Sequence, residues 1–322
     1  MKISFIVPVL NTEIELLKKC ISSIKKIEID DYEIIVINDG SVKELSEKYE
    51  KYLKSDRRII YIKNKQTSGV SYSRNIGIEK SSKDYIMFVD SDDLIVSEEI
   101  NNLKIKIKDA DMILFDTYVN GKKEKYRLEE GKVEVRDIIN NTFYNCNFSR
   151  PVAKLYNKSF LLENNIKFNT IYIQGEDAIF NLECLKYNPK IYYYNIFSYN
   201  YCYNSKNTQN RLENKFEKFT QGMYDIYNIK KQLISNEQNT NIRKKMLDKN
   251  DNQLIKDVFH NYLIMLKINK NDNIEKYKYL LKKMNINKKN LKIREKIYQY
   301  LIISSNPFNR AILKILIRIK KI

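Results

Sequence analysis

Histidine is almost missing from this chain of 322 residues: His260 is the sole example. A Ser-His or Cys-His nucleophile pair is therefore a poor fit, and a general base has to be sought among carboxylates. Glycine is scarce too, seven in all, and none falls into a G-x-G-x-x-G or P-loop pattern. Dinucleotide and P-loop phosphate sites thus lack their backbone cradles, although nucleotides can bind by another route. The four cysteines, Cys20, Cys146, Cys184 and Cys202, lie far apart, with no C-x-x-C pair and no adjacent histidine. That spacing disfavours a zinc site or a disulfide framework and predicts reduced, mostly buried thiols in a cytoplasmic protein. No stretch approaches the roughly 18 uncharged apolar residues that span a bilayer. The opening MKISFIVPVL has a lysine and an apolar run but no small-residue cleavage site, so it reads as a first strand, and membrane contact is expected to be peripheral.

Charge is present in excess and unevenly. Of 58 basic and 40 acidic residues, positions 211–322 hold 26 and 10, so this third of the chain carries +16 of the net +18. Heavy use of Lys, Asn, Ile and Tyr throughout, as in proteins of AT-rich genomes, raises basicity everywhere. The concentration at one end points instead to a surface that faces something acidic, phospholipid or nucleic acid.

Two periodicities alternate along the first hundred residues, which predicts a strand-helix series with a mostly parallel sheet. ISFIVPVL is a strand; the next segment sets Ile14, Leu17, Ile21 and Ile24 at helical spacing; YEIIVIND, RIIYIKN and DYIMFVD are further strands, with helices between them. Beyond residue 110, ADMILFDTYV and the tyrosine-rich KIYYYNIFSYNYCYN read as strands, NGKKEKYRLEEGK as a polar hairpin or excursion, RPVAKLYNKSFLLENNIKF as a packed turn with a short helix, and GEDAIFNLECLKY as a helix opening on acids. From about 211 glycine and proline nearly vanish and long polar helical patterns take over. The expected organisation is an α/β domain over 1–205 and a basic, mainly helical extension over 206–322.

Sites in parallel sheets gather beyond the carboxyl ends of the strands. Three polar clusters fall there: PVLN with Pro8 and Asn11, INDGS with Asp39 and Ser41, and VDSDD with Asp90, Asp92 and Asp93. Helix capping accounts for any one of them more easily than for all three. The last is the most telling, since no cation lies within YIMFVDSDDLIV. Two carboxylates about 5 Å apart repel by roughly 3 kcal/mol at an effective dielectric near 20. Such a turn invites a hard divalent cation that keeps positions open for phosphate and water, as Mg²⁺ or Mn²⁺ does.

FIVPVLN, EIIVINDGS, GVSYSRNIGI, YIMFVDSDD, AKLYNKSFL and GEDAIF stand in the order and spacing of glycosyltransferase family 2, which the chain resembles from residue 3 to about 204. The resemblance implies a GT-A fold, a Rossmann-like, mostly parallel central sheet flanked by helices. It also implies an inverting transfer of a sugar from a nucleotide-diphosphate donor, a UDP-sugar, to a glycan or lipid-linked glycan acceptor. Residue by residue, Asp39 is similar to the carboxylate that binds the nucleotide base, with Pro8, Asn11 and Ser41 lining that pocket, and Arg74 to an arginine entering the donor site. Asp90 and Asp92 match the D-x-D pair, Asp92 as the direct ligand of Mn²⁺ or Mg²⁺ and Asp90 nearer the ribose and sugar. Asp177 matches the catalytic base, and Glu176 its acidic neighbour near the acceptor. Helix starts are commonly acidic in any protein, so the ordered set of motifs carries this reading. Three positions depart from the pattern: Asn38 where a second Asp is frequent, Ser73 where Ala is usual, and Asn204 and Lys206 where an Arg commonly follows the tyrosine-rich strand.

The closing NRAILKILIRIKKI sets Arg310, Lys314, Arg318 and Lys321 opposite Ile312, Ile315, Leu316 and Ile319, a pattern suited to an anionic membrane surface as well as to packing on a neighbouring helix. The expected protein is thus peripheral at the inner face of the cell membrane, acting on a capsule-like or lipooligosaccharide glycan. Two rivals are weaker. A sugar-phosphate nucleotidyltransferase needs a glycine-rich basic loop after the first strand, which PVLNTEIE does not offer. A nucleic-acid-binding protein would use the basic third, where no recognised nucleic-acid module occurs, and no nucleic acid is expected as a partner.

Overall fold

The computed structural model of the protein describes residues 2–29, 31–101, 109–172, 175–202, 216–267, 291–303, 309 and 312. The chain divides into two compact units, Met1–Asn207 and Thr208–Ile322.

In the first unit β1 (Lys2–Val9), β2 (Asp31–Asn38), β3 (Ile59–Lys63) and β4 (Tyr85–Phe88) alternate with α1 (Ile14–Lys25), α2 (Lys43–Leu53) and α3 (Val70–Lys80). They form the parallel order β3-β2-β1-β4. Both β1 and β2 bury every residue after their first, as strands covered on two faces must. Helix α1 packs on one of those faces because Leu17, Cys20, Ile21 and Ile24 recur at 3.6-residue spacing and are all buried. Each such aliphatic side chain contributes on the order of 2 kcal/mol. The other face receives α3, which has no clear apolar stripe and comes close through Gly77: a Cβ there would lie 2.3 Å from Ile6 Cγ2.

The rest of the unit continues the same sheet through β5 (Leu94–Ile95), α4 (Ser97–Asn101), β6 (Met112–Val119), β7 (Lys122–Glu124), β8 (Gly131–Val133), α5 (Val135–Asn141), β9 (Lys154–Asn157), α6 (Lys158–Glu163), α7 (Glu176–Leu185) and β10 (Ile191–Tyr201). The full order is β3-β2-β1-β4-β9-β6-β10-β5, with β7 on β6 and β8 on β10. This is the α/β, GT-A-type sheet expected, parallel across β3-β2-β1-β4 and between β6 and β10 but antiparallel in its other five pairings, and one element differs. KLYN is not a turn but β9, an antiparallel strand between β4 and β6. Four residues are too few to show a period, so only their neighbours make them a strand. The uncertain NGKKEKYRLEEGK resolves into a hairpin that turns at Asn120 and Gly121, both with positive φ, followed by β8.

The expectation of mostly buried thiols holds for Cys20 and Cys184, whereas Cys146 and Cys202 are exposed; all four are free.

The second unit is helical where described: α8 (Phe216–Ser235), α9 (Thr240–Lys267) and α10 (Ile293–Ile303). Leu233, Ile234, Ile255, Val258, Phe259 and Ile302 are buried in it, and Phe259 stacks on Tyr298 at 3.8 Å. Tyr227 donates a hydrogen bond to Asp251, joining α8 to α9. Among the described residues no helix is long and apolar enough to cross a membrane. Arg310, Lys314, Arg318 and Lys321 of the basic tail lie outside the described residues, as do Asn204 and Lys206.

Candidate functional site

Parallel register brings the carboxyl ends of β1, β2 and β4 together, since Val9 pairs with Asn38 and Ile6 with Phe88. The loops leaving those strands are tied by side chains. Asn11, in the left-handed conformation that Asn tolerates, donates its N–H to Ser41 Oγ at 2.9 Å and accepts from Val42 N at 2.9 Å. Pro8 is buried within β1 just before this crossing. Asp39 is buried and accepts from Asn64 Nδ2 at 2.9 Å, Ser68 N at 3.0 Å and Gly69 N at 2.8 Å. Its carboxylate therefore organises the loop that leads into α3. The departure at Asn38 has a local reason: the buried amide accepts from Ser41 N and donates to Tyr61 Oη and to Ser46 Oγ, and since Ser46 gives its own proton to Ser41 O, a carboxylate could not satisfy it.

The three aspartates beyond β4 have three different environments. Asp93 is buried, accepting from Tyr199 Oη at 2.8 Å and Cys202 N at 2.7 Å, and Tyr199 Oη in turn accepts from Asp90 N at 3.0 Å. Burial first, then Asp90, pushes the Asp93 carboxyl up. Asp90 is bound by Arg74 at 2.9 Å. Asp92 is half-buried with no described cation against it, and burial followed by Asp90 raises its pKa. The turn is also tethered to the first loop by a 2.7 Å hydrogen bond between Thr12 and Ser91.

Arg74 joins this turn to the start of α7. Its side chain is 3% exposed and binds Asp177 at 2.6 Å with one nitrogen while holding Asp90 with another. Burial pulls its pKa down, but Asp177 and Asp90 outweigh burial and raise it. The guanidinium also lies over the Phe168 ring at 5.2 Å, and Phe168 stacks on Phe180 of α7 at 3.9 Å. Neighbouring Asn75 holds the Phe168 backbone through both its N–H and its carbonyl. Asp177 keeps 31% of its side chain open; desolvation by the surrounding protein raises its pKa, with Arg74 opposing. Glu176 beside it is buried.

The sequence-predicted residues thus fall into two connected groups: Pro8, Asn11, Asp39 and Ser41 around the β1 and β2 loops, and Asp90, Glu176 and Asp177 around the buried guanidinium of Arg74, with Asp92 in the same turn as Asp90. Sequence reasoning missed Tyr199, which couples Asp90 to Asp93; the tyrosine-rich strand was visible, but not which tyrosine would face the turn. Among the described residues no group of three His, Cys, Asp or Glu is placed to hold a metal ion. Asp92, half-buried with no described cation against it, still suits Mg²⁺ or Mn²⁺, which take one or two carboxylates and complete their shell with phosphate and water.

Comparison with known proteins bears on the family and the fold. The model of the family described as Glycosyl transferase family 2 matches residues 4–164. The poly(ribitol-phosphate) β-N-acetylglucosaminyltransferase TarP of Staphylococcus aureus is 32% identical over 203 residues, which cover 59% of this chain and 59% of that protein. The chain therefore matches less than two thirds of that relative's length. A solved structure of S. aureus TarS 1-349 in complex with UDP-GlcNAc superposes with a TM-score of 0.61 at 18% identity, covering 85% of this chain and 89% of that one. A mannosyltransferase from Pyrobaculum calidifontis, solved with GDP-Man and Mn²⁺, shares the fold at a TM-score of 0.54 and 12% identity, covering 98% and 87%.

Proposed function

The chain belongs to glycosyltransferase family 2, and from that premise we propose that it transfers a sugar, with inversion, from a UDP-sugar to a hydroxyl of a growing, lipid-linked surface glycan. The observation that carries this reading is the single buried Arg74 bonded at once to Asp90 of the DSDD turn and to Asp177 at the mouth of α7. Donor and acceptor chemistry need to meet across a few ångströms, and one residue here touches both halves.

In this mechanism Asp177 takes the proton of the acceptor hydroxyl as the oxygen attacks the anomeric carbon. The bond from that carbon to the diphosphate oxygen breaks on the opposite face, its electron pair leaves with UDP, and the product is a β-linkage. Asp39 with Pro8, Asn11 and Ser41 receives the nucleotide base, while Glu176 lies near the acceptor. Arg74 orients Asp177 and faces the donor side through Asp90. Asp92, with Asp90 behind it, would hold Mn²⁺ or Mg²⁺, which when bound supplies positive charge to the leaving diphosphate. The name of the S. aureus relative supports a polymer acceptor, and the UDP-GlcNAc complex of the structural neighbour supports a UDP-sugar.

We assign catalysis to 1–205 and contact with an anionic membrane at the inner face of the cell to the basic extension of 206–322. Calorimetric titration of UDP with and without Mn²⁺, repeated on Asp92→Asn, tests the site. The expected result is metal-dependent binding that the substitution abolishes, followed by turnover of a UDP-sugar. Failure of UDP, GDP, CMP and dTDP alike to bind in the presence of Mn²⁺ would overturn the proposal.

A further inference from the structure

Behind Asp177 lies a buried polar knot that the proposed mechanism does not use. Lys154, the first residue of β9, is fully buried, and its Nζ donates to the carbonyls of Asn147 at 2.8 Å, Arg150 at 2.5 Å and Val152 at 3.3 Å. Asn181 is also fully buried and stands one turn after Asp177 on α7. Its Nδ2 donates to the carbonyls of Phe148 at 2.7 Å and Arg150 at 3.0 Å, and its Oδ1 accepts from Tyr156 Oη at 2.6 Å. Tyr156 Oη also reaches the carbonyl of Pro151 at 3.2 Å, so three side chains from two elements grip one loop, 147–152, by its carbonyls. The loop closes at Ala153, whose φ of 55° costs energy and persists only under such constraint.

Three carbonyls around one amine decide its protonation. A neutral amine has two N–H bonds and would turn its lone pair on the third oxygen, whereas an ammonium satisfies all three. Burial, and then Arg150, pulls the Lys154 pKa down, with Asp177 and Cys184 opposing; the carbonyl geometry favours the charged form nonetheless. A buried ammonium needs a counter-charge. The ionisable groups that face it are Arg150 of the loop and Asp177 and Cys184 of α7, and the guanidinium of Arg150 is occupied by Glu124 at 3.0 Å. Asp177 in turn is faced by Arg74 from α3, Asp90 from the turn after β4 and Lys154 from β9.

We propose that Lys154 and Asn181 are positioning residues for Asp177: Lys154 closes the 147–152 loop by its carbonyls, and Asn181 locks α7, one turn after Asp177, to that same loop, so that the carboxylate Arg74 holds is also fixed through its own helix. The inference rests on Asp177 being the base of the transfer. It gives the AKLYN segment a task, since only an unbranched cationic side chain reaches three carbonyls from inside the sheet.

Lys154→Met keeps the length and removes the donors. The expected result is a folded protein whose UDP dissociation constant stays within about twofold, because the nucleotide pocket is built on β1 to β3, while kcat falls about 100-fold, the usual cost of a misplaced catalytic group. Unchanged kcat, or a parallel loss of UDP affinity and kcat, overturns the proposal. Should Lys154→Met fail to fold, Tyr156→Phe decides, because it deletes only the hydroxyl that joins Asn181 to the loop carbonyl of Pro151: a drop in kcat of about tenfold, the weight of one hydrogen bond, supports the knot, and wild-type kcat overturns it. Asp177→Asn is assayed alongside. If it retains wild-type turnover the assignment of the base has failed, whereas an inactive Asp177→Asn beside a fully active Lys154→Met sinks this inference alone.

Discussion

Arg74 and Asp177, 103 residues apart in sequence, meet at 2.6 Å, and the arginine is buried while the aspartate keeps part of its carboxylate open. Moving the aspartate away would leave a buried guanidinium without one of its two counter-charges, which is costly. The carboxylate is thereby held in place without being covered.

Arg74→Met should therefore harm both stability and chemistry. Removing one partner of a buried pair costs about 3–5 kcal/mol, here with Asp90 and Asp177 both left behind. Arg74→Lys should retain charge but not span the two carboxylates, so turnover should fall at least about tenfold with a smaller change in melting temperature. Thermal melts and release of UDP from a UDP-sugar read the two effects separately, and wild-type turnover in Arg74→Lys would refute the bridging role.

Asp177→Asn should reduce transfer by about 10²–10⁴-fold, the range for a lost general base, with UDP affinity nearly unchanged. Desolvation holds the Asp177 carboxyl above the ordinary aspartate range. The base works only when ionised, so activity should rise with pH through that raised value and be lost below it. A profile of kcat/KM with no acid limb above about pH 4, the ordinary aspartate value, would count against this assignment.

Asp116 of β6 offers a pH effect on stability away from the site. It is buried, accepts from Tyr126 N at 2.9 Å and Tyr193 Oη at 3.0 Å, and burial pushes its carboxyl up to about 6 despite both bonds. An unfolded aspartate titrates near about 3.9. Between those values the folded protein keeps a proton that the unfolded chain releases, so stability falls as pH rises from about 4 to about 6 and levels off above, by at most about 3 kcal/mol. Urea midpoints across that window should slope less in Asp116→Asn; identical slopes would refute the linkage.

Gly77→Ala pits a helix gain of about 1 kcal/mol against overpacking of about 1–3 kcal/mol, since its Cβ would reach Ile6 Cγ2 at 2.3 Å. The clash should win. Because Arg74 lies one turn earlier on α3, turnover should drop along with the melting temperature, and a melting temperature at or above wild type would show that β1 and α3 separate at little cost.

Much of this was written in the sequence. Apolar runs defined β1, β2 and β4 and a 3.6-residue repeat defined α1, because a strand buried on two faces must be apolar throughout and a helix packed by an apolar stripe must repeat; α3, which packs through Gly77 without such a stripe, carries no such repeat. The acids at the strand ends named Asp39, Asp90 and Asp92 as residues to watch, since position after a strand is a local property, whereas Asp177, at the start of a helix, was named by the family resemblance of GEDAIF. Tertiary structure alone decided how they divide. Asp93 became a hydrogen-bonded strut because Tyr199 arrives 106 residues later, Asp90 became an arginine partner because α3 lies across β1 at Gly77, and Asp92 is left half-buried with no described cation against it. Strand β9 and the Lys154 knot were equally hidden. Four residues carry no periodicity, and a lysine looks solvent-bound until the carbonyls of a folded loop close around it.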